Sequence, residues 1–273
     1  MKVMDKTWVV TGAGSGMGRA LTLRMIRAGA RVAAVDYNRE ALEETKNLVA
    51  DPAKLSTHLV DVTDYSQVNA LVGEVADQHG CVDGLVNNAG IMHPFGSFTE
   101  LPLAHMEKVV AVNWWGVVYL LKAFMPTLLA RPEAQIVNVS SMGGFLAMPN
   151  ISVYGASKAA VKMLSEVLML ELKHTSIQTS VVFPGSVVTH FAANSPDLDE
   201  ATRKKLIEFS DKEGVGLSPT DAAEIIFRGL EKGKPRIYVG KDSRMMDILY
   251  RISPRLALSR VSRLAAKQMP NFD

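Results

Sequence analysis

Tyr154 and Lys158 are four residues apart and therefore share one face of any helix that contains them. A free tyrosine has a pKa near 10 and is a poor base at neutral pH. An ammonium group within about 4–6 Å favours the phenolate and would lower that pKa. The pair therefore predicts a tyrosine that acts as general base in alcohol oxidation and as general acid in ketone reduction.

A glycine-rich loop, Thr11–Gly18, reads TGAGSGMG and lies between an apolar run and a segment with helical periodicity. Glycines permit a tight turn and a close approach of the backbone to a pyrophosphate, and the helix N-terminus adds N–H groups and a positive dipole end. In this strand–turn–helix context the loop predicts a dinucleotide site. The residues expected to contact the dinucleotide here are Gly12, Gly14, Ser15, Gly16, Met17 and Gly18.

An acidic residue, Asp36, follows the glycine loop by 18 residues and ends the second apolar run. A carboxylate at this place accepts hydrogen bonds from the adenosine ribose hydroxyls and repels a 2′-phosphate, which favours NAD over NADP. A dedicated NADP site would have a cation at Ser15 or Tyr37, and neither residue is one. Arg19 and Arg39 are close enough in sequence to keep NADP open as an alternative.

Short apolar runs alternate with longer helical patterns along the chain. Several of the runs are continuous, as in a parallel sheet covered on both faces. This alternation predicts an α/β fold: a Rossmann-like, doubly wound sheet of about seven parallel strands with helices on both faces. The predicted strands are 7–10, 31–36, 57–60, 84–86, 135–139, 178–183 and 236–239. The predicted helices are 17–28, 39–50, 65–79, 103–130, 154–174 and 219–232.

The chain is predicted to form one catalytic and dinucleotide-binding domain, 1–240, and a basic amphipathic C-terminal extension, 241–273. Within the domain, 190–218 is expected to be an irregular connection, and a connection of that length is usually functional or mobile. Residues 241–268 hold seven Lys or Arg and two Asp, with apolar residues throughout. The extension could cover a neighbouring subunit or the mouth of the site, form a surface helix, or touch an anionic membrane, which is the least favoured interpretation.

Several motifs in order identify the sequence as resembling the short-chain dehydrogenase/reductase family, in its single-domain, NAD-dependent form. The resemblance covers about residues 5–240. It depends on Thr11–Gly18, Asp61-Val62, Asn87-Asn88-Ala89-Gly90, Asn113, Ser141, Tyr154-Gly-Ala-Ser-Lys158 and Pro184-Gly185-Ser-Val187-Val-Thr189. It implies hydride transfer between NAD(H) and a secondary alcohol or ketone.

The resemblance assigns catalytic roles to four residues, Asn113, Ser141, Tyr154 and Lys158. Ser141 lies 13 residues before Tyr154, the separation at which the family has the serine that orients the substrate oxygen. Asn113 corresponds to the asparagine that holds a water between the lysine and solvent. The neighbouring Ser140 is interpreted as a packing or turn residue.

The same resemblance assigns further contacts to the cofactor. Asp61 and Val62 would meet the adenine ring, and Val187 and Thr189 would hold the carboxamide. Asn87, Ala89 and Gly90 resemble the turn beside the ribose and the fourth strand, although Asn87 and Asn88 could equally stabilise the sheet. The additional residues expected to bind the cofactor are Asn88, Ala89, Gly90, Tyr154, Lys158, Pro184 and Gly185.

Composition excludes several other classes of protein. Of the 273 residues 48% are apolar, and 30 basic residues face 28 acidic ones, a balance that does not suggest a nucleic-acid-binding protein. The single cysteine, Cys81, excludes an internal disulfide, and no His, Cys or carboxylate cluster has the spacing of metal ligands. The N-terminus has no signal-peptide pattern, and the longest apolar run, 109–121, is shorter than a membrane span. We expect a cytoplasmic protein.

The substrate is expected to be lipophilic, because the loops predicted to surround the site are mostly apolar. These loops hold Met92, His93, Phe95, Met142, Gly143, Phe145, Leu146, Met148 and Phe191. His93 is expected at the rim of the site. The alternatives are an NADPH-dependent 3-oxoacyl reductase and a dinucleotide-binding regulator without turnover. Family resemblance also predicts a homodimer or homotetramer formed through the helices at 103–130 and 154–174.

Overall fold

Seven strands form one sheet in the computed structural model, which describes residues 1–189, 191, 198, 200–210 and 216–268. Their sequence order is that of the predicted apolar runs, with ends that differ by at most two residues. The strands are β1 Thr7–Thr11, β2 Arg31–Asp36, β3 Leu55–Leu59, β4 Gly84–Asn87, β5 Ala134–Val139, β6 Ile177–Pro184 and β7 Arg236–Val239.

All neighbouring strands are parallel, in the order β3-β2-β1-β4-β5-β6-β7. The direction of winding reverses between β1 and β4. Ligands in open α/β sheets bind at such a reversal, beyond the carboxyl ends of the strands. The predicted Rossmann-like fold is therefore confirmed, and it places the glycine loop after β1 beside the segment after β4.

Helices cover both faces of the sheet. The described helices are α1 Gly16–Arg27, α2 Arg39–Asn47, α3 Tyr65–His79, α4 Leu103–Val110, α5 Gly116–Leu129, α6 Ser152–Glu171, α7 Glu200–Ser210, α8 Pro219–Glu231, α9 Lys241–Ile252 and α10 Pro254–Gln268. Alternate residues of one strand enter two different cores: Val10 packs with side chains of α1 and α8, and Val9 packs with side chains of α3, α5 and α6. Apolar packing on both sides explains why the strands are continuous apolar runs.

The ends of the helices follow from local residue types. Asp64 caps α3 by accepting hydrogen bonds from the N–H groups of Ser66 and Gln67. The side-chain hydrogen bonds that it accepts from Ser66 and Gln67, followed by these backbone bonds, lower the pKa of its carboxyl. The same helix ends at Gly80, whose φ of 77° is left-handed and therefore suits glycine. Ser218 caps α8, which has Pro219 in its first turn.

The segment predicted as one helix over 103–130 is interrupted by a π-helical turn, Ala111–Trp115. The whole run Leu103–Leu129 is long and apolar enough to cross a membrane by length and composition, a criterion that buried core helices also meet. Here α5 packs on the sheet with Leu120 and Phe124 fully enclosed. The interruption matters because Asn113 lies in the middle of the π turn.

The expectation of an irregular connection over 190–218 is wrong for its centre. Residues Glu200–Ser210 form α7, because this segment has an acidic first turn and mostly strong helix formers. The flanking residues 190, 192–197, 199 and 211–215 lie outside the described residues. Within the C-terminal extension, residues 241–268 contain α9 and α10, which pack against each other and against the segment after β5. Residues 269–273 lie outside the described residues.

Candidate active site

The glycine loop is shaped by positions that have no room for a side chain. Gly12 and Gly16 have left-handed φ values of 64° and 51°. A Cβ on Gly18 would lie 2.0 Å from the carbonyl oxygen of Gly12, so the third glycine lets α1 pack directly on the loop. Ser15, at the N-cap of α1, makes no side-chain capping bond within the described structure, which leaves the N–H groups of the first turn for an anion. Met17 lies in this same first turn.

Asn88 joins the end of β4 to the glycine loop. Its Nδ2 donates to the carbonyl oxygen of Thr11 at 2.9 Å, and its backbone N–H donates to the Thr11 hydroxyl at 3.0 Å. The N–H of Ala89 also donates to that hydroxyl at 3.0 Å. These bonds fix the distance between the two strand ends that border the crevice, so Asn88 and Ala89 shape the dinucleotide site from the β4 side.

Asp36 lies directly beneath the glycine loop. Its Oδ2 accepts from the N–H of Gly14 at 2.9 Å, and its Oδ1 accepts from the N–H of Asn38 at 3.0 Å. A Cβ on Gly14 would lie 2.8 Å from Oδ2 of Asp36, so this glycine is needed for the contact. The carboxylate is therefore held at the loop, where the sequence places the ribose of an adenosine.

Arg19 and Arg39, the two arginines that leave NADP as an alternative cofactor, lie in different surroundings. Arg19 donates to the Glu44 carboxylate at 2.6 Å, to the Thr45 hydroxyl at 3.0 Å and to the Gly14 carbonyl, so its charge is engaged beside the loop. Arg39 is exposed in the first turn of α2. Asp36 and Arg19 therefore both touch the loop backbone at Gly14, and Arg19 is also paired with Glu44.

Asp61 and Val62 follow β3 at the same edge of the sheet. Asp61 is exposed and accepts from the N–H and the hydroxyl of Thr63 at 2.9 and 2.8 Å. Val62 is 8% exposed and packs against Gly116, where a Cβ would lie 2.9 Å from the valine Cγ2. The structure thus keeps a polar and an apolar group side by side, as a contact with an adenine ring requires.

The four predicted catalytic residues are all buried, each with at most 8% of its surface exposed. They come from the π turn, the segment after β5 and the first two turns of α6. A Cβ on Gly90 would lie 3.1 Å from Nζ of Lys158 and 3.2 Å from Oδ1 of Asn113. Lys158 and Asn113 therefore both lie against Gly90.

Asn113 is held rigidly by the segment after β4. Its Oδ1 accepts from the N–H of Ile91 at 2.8 Å, and its Nδ2 donates to the Ile91 carbonyl at 2.9 Å and to the Ser157 hydroxyl at 3.1 Å. The π turn widens the helix by one residue at this place, which is a frequent feature of functional sites. Asparagine inside a helix is unfavourable by propensity, and these three bonds explain its presence.

The amino group of Lys158 lies in the interior of the protein. Nζ donates to the carbonyl oxygen of Val139, the last residue of β5, at 3.0 Å. Burial lowers the pKa of Lys158 to about 8, since removing an ammonium from water disfavours its charged form. A lysine with this pKa exchanges its proton readily at a mildly basic pH. Ser140 donates to the carbonyl oxygen of Lys158 at 2.7 Å, which gives it the packing role predicted for it.

Tyr154 is one helical turn before the lysine and close to Ser141. Burial is the largest influence on the pKa of Tyr154 and raises it, whereas a side-chain hydrogen bond with Ser141 lowers it. The sequence predicts a lowered pKa for Tyr154, because it shows the neighbouring ammonium and not the burial. In the structure burial outweighs the other influences, and the pKa is raised. Desolvation acts in the opposite direction on a phenol, and the residue types by themselves do not reveal it.

The segment after β6 closes the crevice from the other side. A Cβ on Gly16 would lie 3.5 Å from Cγ2 of Thr189, so this segment approaches the glycine loop directly. Pro184 ends β6, and Gly185 follows it with its N–H bonded to the carbonyl oxygen of Val239 at 2.9 Å. Val187 forms an isolated parallel bridge with Leu217 and packs against the core. Of the four predicted contacts of this segment, Thr189 is thus the one that lies beside the glycine loop, and the other three join the segment to the sheet and the core.

Some expectations about the surroundings of the site are wrong. His93, expected at the rim, is fully buried, because its segment folds inward and its Nδ1 bonds the Pro94 carbonyl at 2.7 Å. Since a carbonyl only accepts, Nδ1 carries the proton and Nε2 is an acceptor, one without a partner among the described residues. Phe145 and Leu146, expected to line the mouth, pack instead with α9 and α10. Phe191 does lie at the site, with its ring 5.7 Å from that of Tyr154.

Asn87 has a structural role. Its Nδ2 donates to Oδ1 of Asn138 on β5 at 2.7 Å, and Nδ2 of Asn138 donates to the Ser165 hydroxyl at 3.0 Å. These bonds join β4, β5 and α6 in the interior. Of the two interpretations given for Asn87, the one in which it stabilises the sheet fits the structure.

Sequence reasoning missed two supporting residues. Ser157, which holds Asn113, is three residues after Tyr154 on the same helix, and that spacing could have identified it. Asp242 lies against Gly185 and accepts from the N–H of Ser186 at 2.8 Å. No local sequence pattern predicts this contact, because it joins residues 56 positions apart. Within the described ranges no group of three or more His, Cys, Asp or Glu could hold a metal ion.

Comparisons with known proteins agree with this architecture. The family described as short chain dehydrogenase matches residues 6–199, and the chain therefore belongs to the short-chain dehydrogenase/reductase family. The Mycobacterium tuberculosis protein designated oxidoreductase SadH is 36% identical over 251 residues, which are 90% of each chain. The 2-(R)-hydroxypropyl-CoM dehydrogenase of Xanthobacter autotrophicus is 33% identical over 253 residues, 90% of this chain and 99% of its own.

Solved structures of similar proteins contain both forms of the dinucleotide. A short-chain dehydrogenase/reductase from Burkholderia phymatum in complex with NAD superposes with a TM-score of 0.84, at 28% identity over 94% of this chain and 96% of its own. A serine dehydrogenase complexed with NADP⁺ superposes with a TM-score of 0.78, at 26% identity over 85% of this chain and 93% of its own. The family membership establishes an oxidoreductase fold that binds a nicotinamide dinucleotide.

Proposed function

We propose that the protein is an NAD(H)-dependent oxidoreductase that interconverts a lipophilic secondary alcohol and its ketone. One observation carries the proposal: a buried cluster of Asn113, Ser141, Tyr154 and Lys158 lies beside a glycine crevice that is shaped for a pyrophosphate. The glycines without room for a Cβ and the uncapped start of α1 are what a dinucleotide needs.

The cofactor would be held by the loop and by the walls described above. Asp36 would accept hydrogen bonds from the adenosine ribose, and Asp61 and Val62 would meet the adenine ring. Val187 and Thr189 would orient the nicotinamide end. The bound dinucleotide supplies or accepts the hydride; proton movement is left to the side chains of this chain.

Tyr154 is proposed to hold the proton that moves. Burial favours its neutral form, so the phenol is ready to donate a proton to the oxygen of a ketone. For the reverse reaction the phenolate must form, and the hydrogen bond with Ser141 favours it. A protonated Lys158 one helical turn away would act in the same direction. The Ser141 hydroxyl is also placed to donate to the substrate oxygen as charge develops there.

Lys158 and Asn113 are proposed to keep the tyrosine supplied with protons. A buried amine with a pKa of about 8 can give up and regain a proton at little cost near that pH. The rigid amide of Asn113 lies close to the amine and orders the backbone around it. This arrangement fits a proton path from the interior of the site toward solvent.

The substrate is proposed to be mostly apolar with at least one further polar group. The ring of Phe191 faces that of Tyr154, and Met148 packs near Gly143, next to Ser141. The unpartnered Nε2 of His93 is a buried acceptor on the segment that also contacts Asn113, and a substrate hydroxyl could satisfy it. The relative from Xanthobacter autotrophicus is named for a hydroxypropyl substrate, which supports a secondary alcohol.

A panel of lipophilic secondary alcohols and ketones, followed by NADH absorbance, tests the reaction. The proposal predicts turnover with NAD(H) that exceeds turnover with NADP(H). A clear preference for NADP(H), with reduction of a 3-oxoacyl thioester, would establish the alternative reductase instead. Tight dinucleotide binding without turnover on any member of the panel would favour a regulator.

We also propose a homodimer or homotetramer that uses the surface of α6. Met163, Val167 and Leu170 have the spacing of one helix face and are exposed in the single chain. Light scattering of the purified protein tests this assembly, and a monomer at micromolar concentration would contradict it.

A further inference from the structure

The C-terminal helix pair, α9 and α10, has a buried apolar side. Met246 and Ala257 are buried and form a small core with Leu146 of the segment after β5. Met142 and Phe145, which follow Ser141, pack against the same core. The helix pair is therefore attached directly to the segment that carries the predicted catalytic serine.

The acidic residues of the helix pair point toward the domain. Asp242 accepts from the N–H of Ser186 at 2.8 Å. Asp247 is 7% exposed, accepts from the Tyr238 hydroxyl at 2.6 Å and pairs with Arg251 at 2.8 Å. Asp247 is therefore buried and paired with a cation, whereas Asp242 is partly exposed and hydrogen-bonded to the domain.

The outward side of the helix pair combines apolar and cationic groups. Met245, Ile248 and Ile252 have the spacing of one face of α9, and Ile252 is 77% exposed. On α10, Leu256 is 61% exposed. The exposed cations among the described side chains of the two helices are Lys241, Arg244, Arg251, Arg255, Arg260 and Arg263.

We propose that this outward surface, the basic apolar face, docks on an anionic lipid bilayer. Exposed apolar side chains can enter the boundary between headgroups and acyl chains, while neighbouring cations contact lipid phosphates and carboxylates. Each cation near an anionic leaflet strengthens the binding by about fivefold, and salt weakens this attraction. A second copy of the same face fits less well, because two surfaces of net positive charge repel each other.

Docking in this way would bring the segment after Ser141 close to the bilayer, since that segment forms one core with the helix pair. A lipophilic substrate could then reach the site from the membrane. The docking itself goes beyond the proposed oxidoreductase activity and does not depend on it. It can therefore be tested without any substrate, and its failure would leave the proposed reaction untouched.

Sedimentation with vesicles tests the docking in the full-length protein. We expect binding to phosphatidylcholine vesicles that contain roughly one third phosphatidylglycerol, little binding to phosphatidylcholine alone, and a decrease with added salt. Arg244→Glu combined with Arg255→Glu should weaken binding by about tenfold or more. Lys232→Glu combined with Lys234→Glu is the matched control, because both pairs are exposed and both change the net charge equally.

A second pair of variants tests how much the exposed apolar side chains contribute to vesicle binding. Ile252→Ser should weaken vesicle binding several-fold, and Leu48→Ser, an exposed leucine at the end of α2, should leave it unchanged. Circular dichroism and thermal unfolding verify that all variants fold. Absence of wild-type binding to the anionic vesicles would overturn the proposal, as would equal losses in variants and controls. Dissociation of an oligomer by Ile252→Ser would instead make this face a contact between copies.

Discussion

The glycine loop and the catalytic cluster occupy adjacent parts of one crevice but are built in different ways. The loop is made of backbone: Gly12, Gly14 and Gly18 leave no space for side chains, and Asn88 and Asp36 bond its amides and carbonyls. The cluster is made of side chains that are almost completely buried, and burial shifts the pKa values of Tyr154 and Lys158 in opposite directions.

This difference shows which part of a site can be predicted from the local sequence. A backbone cradle requires certain residue types at fixed spacing, so the glycine pattern between a strand and a helix predicts it. The acidity of a buried phenol depends on desolvation, hydrogen bonds and charge together, and these come from distant segments. Substitutions in the glycine loop should therefore weaken dinucleotide binding through steric overlap. Substitutions in the cluster of predicted catalytic residues should change which groups are protonated.

The largest effect is expected for Gly18→Ala. The added methyl group would lie 2.0 Å from the Gly12 carbonyl oxygen, and backbone cannot move away without opening the loop. We expect dinucleotide affinity to fall by at least about a hundredfold and stability by about 1–3 kcal/mol. Fluorescence titration with NADH and thermal unfolding measure the two quantities. Near-normal affinity would show that the loop is not a tight cradle.

The second prediction concerns how the stability of Lys158→Met depends on pH, in comparison with the wild type. In the unfolded chain the lysine has its ordinary pKa of 10.5, and in the folded protein the pKa is about 8. Between these values the unfolded chain binds the additional proton, so the free energy of unfolding increases as the pH rises. From pH 8 to about 9.5 the increase is about 2 kcal/mol in the wild type relative to the variant.

Urea denaturation of both proteins across this pH range measures the difference for Lys158. Parallel stability curves would mean that the amine is not desolvated, and the proton path proposed for it would lose its basis. A curve for the wild type that falls relative to the variant would contradict the sign of the shift.

A smaller effect is expected for Asp36→Asn. The amide keeps an oxygen that can accept from the loop but removes the negative charge that repels a 2′-phosphate. We expect the ratio of kcat/KM for NAD to that for NADP to fall by about tenfold. Steady-state kinetics with both cofactors measure this ratio, and an unchanged ratio would place the discrimination elsewhere, for example at Arg39.

The smallest effect belongs to Gly73→Ala, which serves as the counterpart of the loop variant. Gly73 lies inside α3, and a Cβ at this position would have no neighbouring atom within 4 Å among the described residues. Alanine there should stabilise the protein by about 0.5–1 kcal/mol and leave dinucleotide binding unchanged. Destabilisation at this position would show that steric space does not decide the effect of a glycine substitution in this fold.

Most of the fold could be predicted from the sequence, because the strands are continuous apolar runs and the helices have regular periodicity. The π turn at Ala111–Trp115 could not, since residues 109–121 are apolar nearly throughout and show no polar face whose rotation would reveal an additional residue. The helix Glu200–Ser210 escapes prediction because it lies in a connection without flanking strand signals. The contacts of α9 and α10 with the segment after β5 depend on tertiary packing that no local pattern encodes.

The motifs predict which residues form the candidate site, but they do not predict how deeply those residues and their neighbours are buried. In the structure Asn113 and Lys158 both lie against Gly90. The sequence shows only that His93 lies in a loop, which suggests the rim, and does not show that the loop folds inward. The direction of the pKa shift of Tyr154 is likewise hidden, because sequence does not report desolvation.

The most direct test of the central claim is the activity of Tyr154→Phe with NAD⁺ and a lipophilic secondary alcohol. The substitution removes only the hydroxyl, so we expect turnover to fall by about 100- to 10,000-fold with dinucleotide affinity retained. In the wild type, oxidation should accelerate as rising pH removes the phenolic proton. Activity of the variant within a few-fold of the wild type would contradict the role of Tyr154 as the proton donor and acceptor.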